Sequence, residues 1–232
     1  MKKSSNIRNY LWFTVWFGAL FAVAFILLYP TTHTVFVTAT KTHPYLMGFI
    51  KVAILATMGE LMALRIVTGE WKRPVGLQYR AIVWGLLGMA FVLVFDIFAG
   101  GVTGSMNKAL LPASADKAVN QVLFAFFTSA LMNLIFAPTF MLFHRVTDTF
   151  IDLGDGRLSK IMKIRLRDVI SKIDFNGFIS FVVIKTIPIF WIPAHTVTFM
   201  LAPEYRVLMA SFLSIAMGGI LAFAKRRKPT AA

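Results

Sequence analysis

Residues 79–100 read YRAIVWGLLGMAFVLVFDIFAG. A helix rises about 1.5 Å per residue, so a stretch of this length crosses a hydrocarbon layer about 30 Å thick. A soluble helix of the same length would carry a polar stripe; this one does not, and it reads as a transmembrane helix. Five further blocks repeat the pattern, at 10–29, 45–68, 119–143, 174–201 and 205–224. The expected fold class is therefore all-α. It is a polytopic membrane helix bundle of about six transmembrane helices, forming one integral membrane domain over residues 1–232.

Composition agrees with a bilayer as solvent. The chain is 58% hydrophobic, against roughly 45–50% for soluble domains. It carries 23 Phe and a mean hydropathy of +0.73. The net charge of +14 allows a nucleic-acid reading. The basic residues border apolar blocks, however, and form no separate basic domain with interleaved aromatics, so no nucleic acid is expected. With no cysteine there are no disulfides, thiolate metal sites or thiol nucleophiles.

Charge placement sets the topology. Most of the 24 Lys and Arg fall in the N-terminal segment, the 69–78 turn, the 144–173 segment and the Lys225-Arg226-Arg227-Lys228 tail. These are alternate gaps between blocks. Positive residues mark the cytoplasmic side, so both termini are expected there. The 10–29 block exceeds the roughly 7–15 apolar residues of a signal peptide and reads as a retained span. Residues 30–44 read as a polar connection. Ile161, Ile164, Val169, Ile170 and Ile173 approximate one face of a helix over 157–173. That pattern predicts a basic amphipathic interfacial helix whose Lys160, Lys163, Arg165 and Arg167 meet anionic lipid headgroups.

Charges inside spans single out positions. A charge at the bilayer centre costs about 2.5–3.5 kcal/mol on insertion scales and usually faces a bundle interior or a wet cavity. By helical rise, Glu60 and Lys185 share mid-depth, while Lys51 and Asp96 lie shallow on the outer side. Glu60 with Lys185 and Lys51 with Asp96 are thus expected ion pairs, with a polar path lined by Glu60 and Lys185 as the second reading. Snorkelling of Lys51 and Arg65 to the interfaces is the plainer alternative. His195 and Asn133 complete the polar-path candidates, and a histidine simply hydrogen-bonded within the bundle is the ordinary alternative. Pro188 and Pro193 each remove a backbone donor, so a break is predicted there. Gly85, Gly88, Gly218 and Gly219 mark close helix packing.

No catalytic constellation is present. His-Glu-x-x-His, Gly-x-Ser-x-Gly and phosphate-loop patterns are missing, and the four His show no metal spacing. His144, Arg145 and Asp148 allow a local cluster at the inner interface. Neither enzyme activity, cofactor nor metal is expected.

Three stretches together resemble the 22-kDa peroxisomal membrane protein family with its mitochondrial inner-membrane relatives. The first is His43-Pro44 followed by Gly59-Glu60, where the family has His-Pro and then Gly-Asp. The second is Met132-Asn133-Leu134-Ile135-Phe136-Ala137-Pro138, beside the family's Asp-Gln-x-x-x-Ala-Pro. The third is Trp191-Ile192-Pro193-Ala194-His195-Thr196-Val197-Thr198-Phe199 with Pro203 and Arg206, beside Trp-Pro-x-x-Gln-x-x-Asn-Phe with a later Pro and Arg. The resemblance spans roughly residues 43–224. Met132 stands for Asp, Asn133 and His195 for Gln, and Thr198 for Asn. Pro193 follows Trp191 by two residues, Arg206 falls one residue early, and the 10–29 span is additional.

The resemblance implies a pore-forming or metabolite-permeating protein. The expected function is a channel or permeation protein for small polar solutes. The alternative is a non-transporting membrane scaffold working through the basic 144–173 segment. Expected partners are the bilayer, anionic headgroups and, as an option, further copies of the chain. No Arg/Ser-rich transit segment precedes the first span, so a bacterial plasma membrane is the expected location.

Overall fold

The structure, a computed structural model, describes residues 2–227, and the side chains of residues 9–220, 222 and 223. It is all-helical, with no strand among the described residues. Eleven α-helices follow in order: α1 (Lys2–Leu28), α2 (Pro30–Thr42), α3 (Pro44–Thr68), α4 (Leu77–Asn107), α5 (Lys117–Ile135), α6 (Ala137–Leu153), α7 (Leu158–Ile161), α8 (Leu166–Ile170), α9 (Phe175–Gly177), α10 (Ile192–Met200) and α11 (Pro203–Arg227). A π-helix over Phe178–Trp191 joins α9 to α10. Among the described residues, five segments are long and apolar enough to cross a membrane: Asn9–Leu28, Pro44–Thr68, Leu77–Asn107, Lys117–Ile135 and Phe175–Met200. The chain has the make-up of a multi-pass membrane protein.

Proline punctuates this chain at helix starts. Pro30, Pro44, Pro138, Pro193 and Pro203 each occupy the first turn of a helix, where a missing N–H costs nothing. Two sequence expectations change for this reason. Residues 30–44 are not an irregular connection, because Pro30 opens α2. The 119–143 block is not one helix either. It divides at Phe136, and α6 runs on through Arg145 to Leu153.

α3 is the centre of the bundle, packed along α4 on one side and α11 on the other, while α5 packs along α10. The α3–α4 contact is backbone-close. A Cβ on Gly48 would come within 2.7 Å of the Gly88 carbonyl oxygen, and one on Gly88 within 2.8 Å of Val52 Cβ. Gly88 thus acts as the small-residue contact the sequence marks. α1 lies on the outside and is mostly uncovered, anchored by Trp16 Nε1, which donates to the Met58 carbonyl at 2.9 Å.

The connections sort to two ends. At one end, the Trp71 N–H donates to Asn9 Oδ1 at 2.9 Å, and Gly76 meets Gly156 backbone to backbone. Both glycines have positive φ, 62° and 64°, so the two turns need residues free of a side chain twice over. At the other end, His33 Nε2 lies 2.7 Å from the Tyr205 hydroxyl, and Lys41 pairs with Glu204 at 3.3 Å. We call the ends inner and outer.

Residues 157–173 do not form one helix. They make two single turns, α7 and α8, separated by residues 162–165. Of the expected apolar face, Val169 and Ile173 are buried, Ile161 and Ile164 half-buried and Ile170 exposed, on turns that do not share one helix axis. Lys160 is tied to Asp155 at 2.6 Å and Arg165 to Asp168 at 2.9 Å. These ion pairs hold the Asp155 and Asp168 carboxyls below their ordinary values.

Candidate functional site

Arg80, Trp84, Phe91 and Phe95 recur at helical spacing along α4, so they share one face. Three polar groups of the bundle lie along this face.

The inner group joins α3, α4 and α6. Trp84 Nε1 donates to Glu60 Oε1 at 2.7 Å. His144 packs against Trp84 with ring centres 4.1 Å apart and planes tilted by 38°. Its Nε2 lies 3.5 Å from Glu60 Oε1 and its Nδ1 3.6 Å from Asp148 Oδ2. Arg80 reaches Asp148 Oδ1 at 2.8 Å and Asp152 Oδ1 at 2.7 Å, and its Nε donates to the Val75 carbonyl at 3.0 Å. Burial raises the Asp148 carboxyl above its ordinary value, and the Glu60 charge adds to the rise against the pull of His144 and Arg80. Glu60, His144 and Asp148 bring ligating atoms within 4.8 Å of one another, a spacing that could hold a metal ion. The Arg80 guanidinium already supplies positive charge there, so the arrangement reads as an ion-pair network.

The middle group is neutral. Asn133 on α5 is fully buried, with Nδ2 2.9 Å from the Ser129 carbonyl oxygen and 3.1 Å from His195 Nδ1. Asn133 Oδ1 also lies 3.3 Å from His195 Nδ1, so the amide can pair with this ring nitrogen in either tautomer. His195 lies between Trp191, stacked at 5.3 Å, and the edge of Phe95 at 6.0 Å. Ser129 Oγ donates across to the Ile192 carbonyl at 2.7 Å, tying α5 to the start of α10. Asn133, His195, Phe91, Phe95 and Phe140 surround a cavity of about 30 Å³, the share of a single water molecule.

The outer group lines a cavity of about 470 Å³ between α2, α3, α4 and α11. It includes Lys41, Lys51, Asp96, Glu204 and Arg206. Phe95 belongs to the walls of both this cavity and the small one.

The expected pairs do not form. Glu60 bonds Trp84 and approaches His144, and no ion pair joins it to Lys185 among the described residues. Lys185 is exposed on the surface of the π-helix. Matching depth fixes height in a bundle and leaves rotation open. Lys51 and Asp96 share the outer cavity without an ion pair; Lys51 Nζ instead contacts Thr40 Oγ1 at 3.1 Å and the Glu204 carbonyl at 3.4 Å. The predicted break at Pro188 is a change of register. The segment shifts to i→i−5 bonding, as in Ile192 N–H to the Ile187 carbonyl, and helical direction continues to Pro193 and α10. The inner network joins Glu60, His144 and Asp148, which the sequence marks, to Arg80 and Asp152, which it does not.

No family model, curated protein or solved structure matches this chain.

Proposed function

We propose that this chain is a six-span integral membrane protein that lets small polar solutes permeate along the face of α4, with both termini cytoplasmic. The observation that carries the reading is Phe95. It stands as a single shared wall between a charged outer cavity of about 470 Å³ and the His195–Asn133 chamber. A polar route interrupted by an aromatic ring is a closed path. Phe91 and Phe140, edge to face at 5.1 Å, belong to the walls of that chamber. Non-lipid polar groups at membrane depth are tolerated where they line such a route. Lys185 is not part of it.

The sixth crossing is α11, whose apolar length follows the outer turn at Pro203. The basic inner connections make the inner end cytoplasmic. Lys160, Lys163, Arg165 and Arg167 then face anionic headgroups, with Lys160 and Arg165 partly neutralised by their acidic neighbours. The resemblance of residues 43–224 to the 22-kDa peroxisomal membrane protein family supports the same class of activity.

Proteoliposomes test this. Vesicles holding the chain should release glycerol-sized polar solutes faster than protein-free vesicles of the same lipid. A well-folded preparation as tight as empty vesicles refutes permeation and favours a scaffold.

A further inference from the structure

The outer cavity sets three cations, Lys41, Lys51 and Arg206, against two carboxylates, Asp96 and Glu204. Lys41 and Glu204 neutralise each other at 3.3 Å. Lys51 and Arg206 are different: no carboxylate lies in ion-pair range of either among the described residues. Lys51 is only 6% exposed, and its ammonium is held by two neutral oxygens and sits 4.9 Å from the centre of the Phe36 ring. Arg206 Nε donates to the Leu201 carbonyl at 3.1 Å, and its guanidinium lies 5.4 Å from the Phe199 ring and 5.8 Å from the Phe124 ring. Neutral oxygens and ring faces orient a cation without cancelling its charge. A buried ammonium without a counter-ion is unfavourable, so such a site draws an anion. Asp96 is the remaining acid; it is exposed, forms no ion pair among the described residues, and acts on Arg206 only from beyond that range.

We infer that the outer cavity binds a small singly charged oxyanion, a carboxylate or a phosphodiester, between Lys51 and Arg206. Charge-assisted bonds from an ammonium and a guanidinium fit either group. Asp96 disfavours a second negative charge. The inference deepens the permeation reading by naming the solute class, but the site itself needs no flux. A phosphodiester has two sources, a dissolved solute or a phospholipid headgroup.

The test uses the full chain in neutral detergent micelles, titrated with acetate and with dimethyl phosphate at constant ionic strength and followed by calorimetry. Both should bind saturably. Lys51→Met or Arg206→Gln should weaken binding about tenfold or more, and Asp96→Asn should leave it intact or tighten it. Melting of each variant without ligand verifies its fold, and Arg206→Lys, which keeps the charge, should retain part of the affinity. Native mass spectrometry from phosphatidylglycerol-containing micelles separates the sources. A retained lipid that Lys51→Met releases assigns the anion to a headgroup, and binding of the soluble anions alone assigns it to a solute. If acetate, dimethyl phosphate and phosphatidylglycerol all bind independently of Lys51 and Arg206, or not at all, the site does not exist. Binding without vesicle flux would refute permeation and leave the site standing; flux without binding would do the reverse.

Discussion

Arg80→Met is the most informative stability probe of the inner network. Methionine keeps the apolar stem and removes the guanidinium, which holds Asp148 at 2.8 Å and Asp152 at 2.7 Å. The two pairs are unequal. The Asp152 side chain is 60% exposed, so its pair contributes at most about 1 kcal/mol. Asp148 is largely buried, and stranding a buried charge costs about 3–5 kcal/mol. Asp148 has a partial escape, because burial already favours its protonated form and His144 lies 3.6 Å away to share charge. The loss should therefore sit near the lower end, about 3 kcal/mol. The assay is reversible unfolding in mixed micelles, followed by tryptophan fluorescence with Trp84, in ring contact with His144, as a local probe. Adding Asp148→Asn to Arg80→Met should restore about 2 kcal/mol, since no buried charge is then left unpaired. The reasoning fails if Arg80→Met costs less than about 0.5 kcal/mol, or if Asp148→Asn has the same effect in both backgrounds.

Other consequences can be checked the same way. Gly88→Val should destabilise the chain by about 1–3 kcal/mol, because the new side chain meets Val52 and the Gly48 backbone. Gly104→Ala, with nothing within 4 Å, should be neutral or stabilising by up to ~1 kcal/mol; equal losses in the two variants would contradict the close α3–α4 approach. Asn133→Leu should cost about 1–3 kcal/mol and change the ¹⁵N shift of His195 Nδ1, whereas an unchanged shift would mean the two side chains are not bonded. Asp148 also sets a pH dependence. Its folded value lies above the ordinary 3.8, so its stabilising proton is present below 3.8 and lost as pH rises through the folded value. Asp148→Asn should flatten that part of the melting temperature against pH, and parallel curves would count against the assignment.

The helical class and the solvent were legible in the sequence because hydrocarbon demands long apolar blocks, and residues 79–100 supply one. Side-chain partners were not. Depth along a helix follows from counting residues, which is why Glu60 and Lys185 look like a pair. Rotation depends on packing, and it sends Glu60 to Trp84 and His144 while leaving Lys185 on the surface. The inner network was legible in part: Glu60, His144 and Asp148 stand out in the sequence, while Arg80 and Asp152 do not. His144, Asp148 and Asp152 recur at helical spacing, a usable signal, but the polar run from His144 onward reads as a loop. The proline at 138 that opens α6 commits that run to helix. The Asn133–His195 contact has its trace in the sequence, since both residues were marked as polar-path candidates. Their contact depends on how α5 packs along α10.

The proposed role of Phe95 as a closing wall is open to one direct measurement, which the absence of native cysteine makes clean. A single Phe95→Cys substitution puts a thiol between the outer cavity and the His195–Asn133 chamber. A charged methanethiosulfonate reagent added from the outer side of proteoliposomes should modify it, with solute flux raised by the substitution and then blocked by the modification. A thiol that stays unreactive from that side, or flux indifferent to its modification, would contradict a path closed at Phe95.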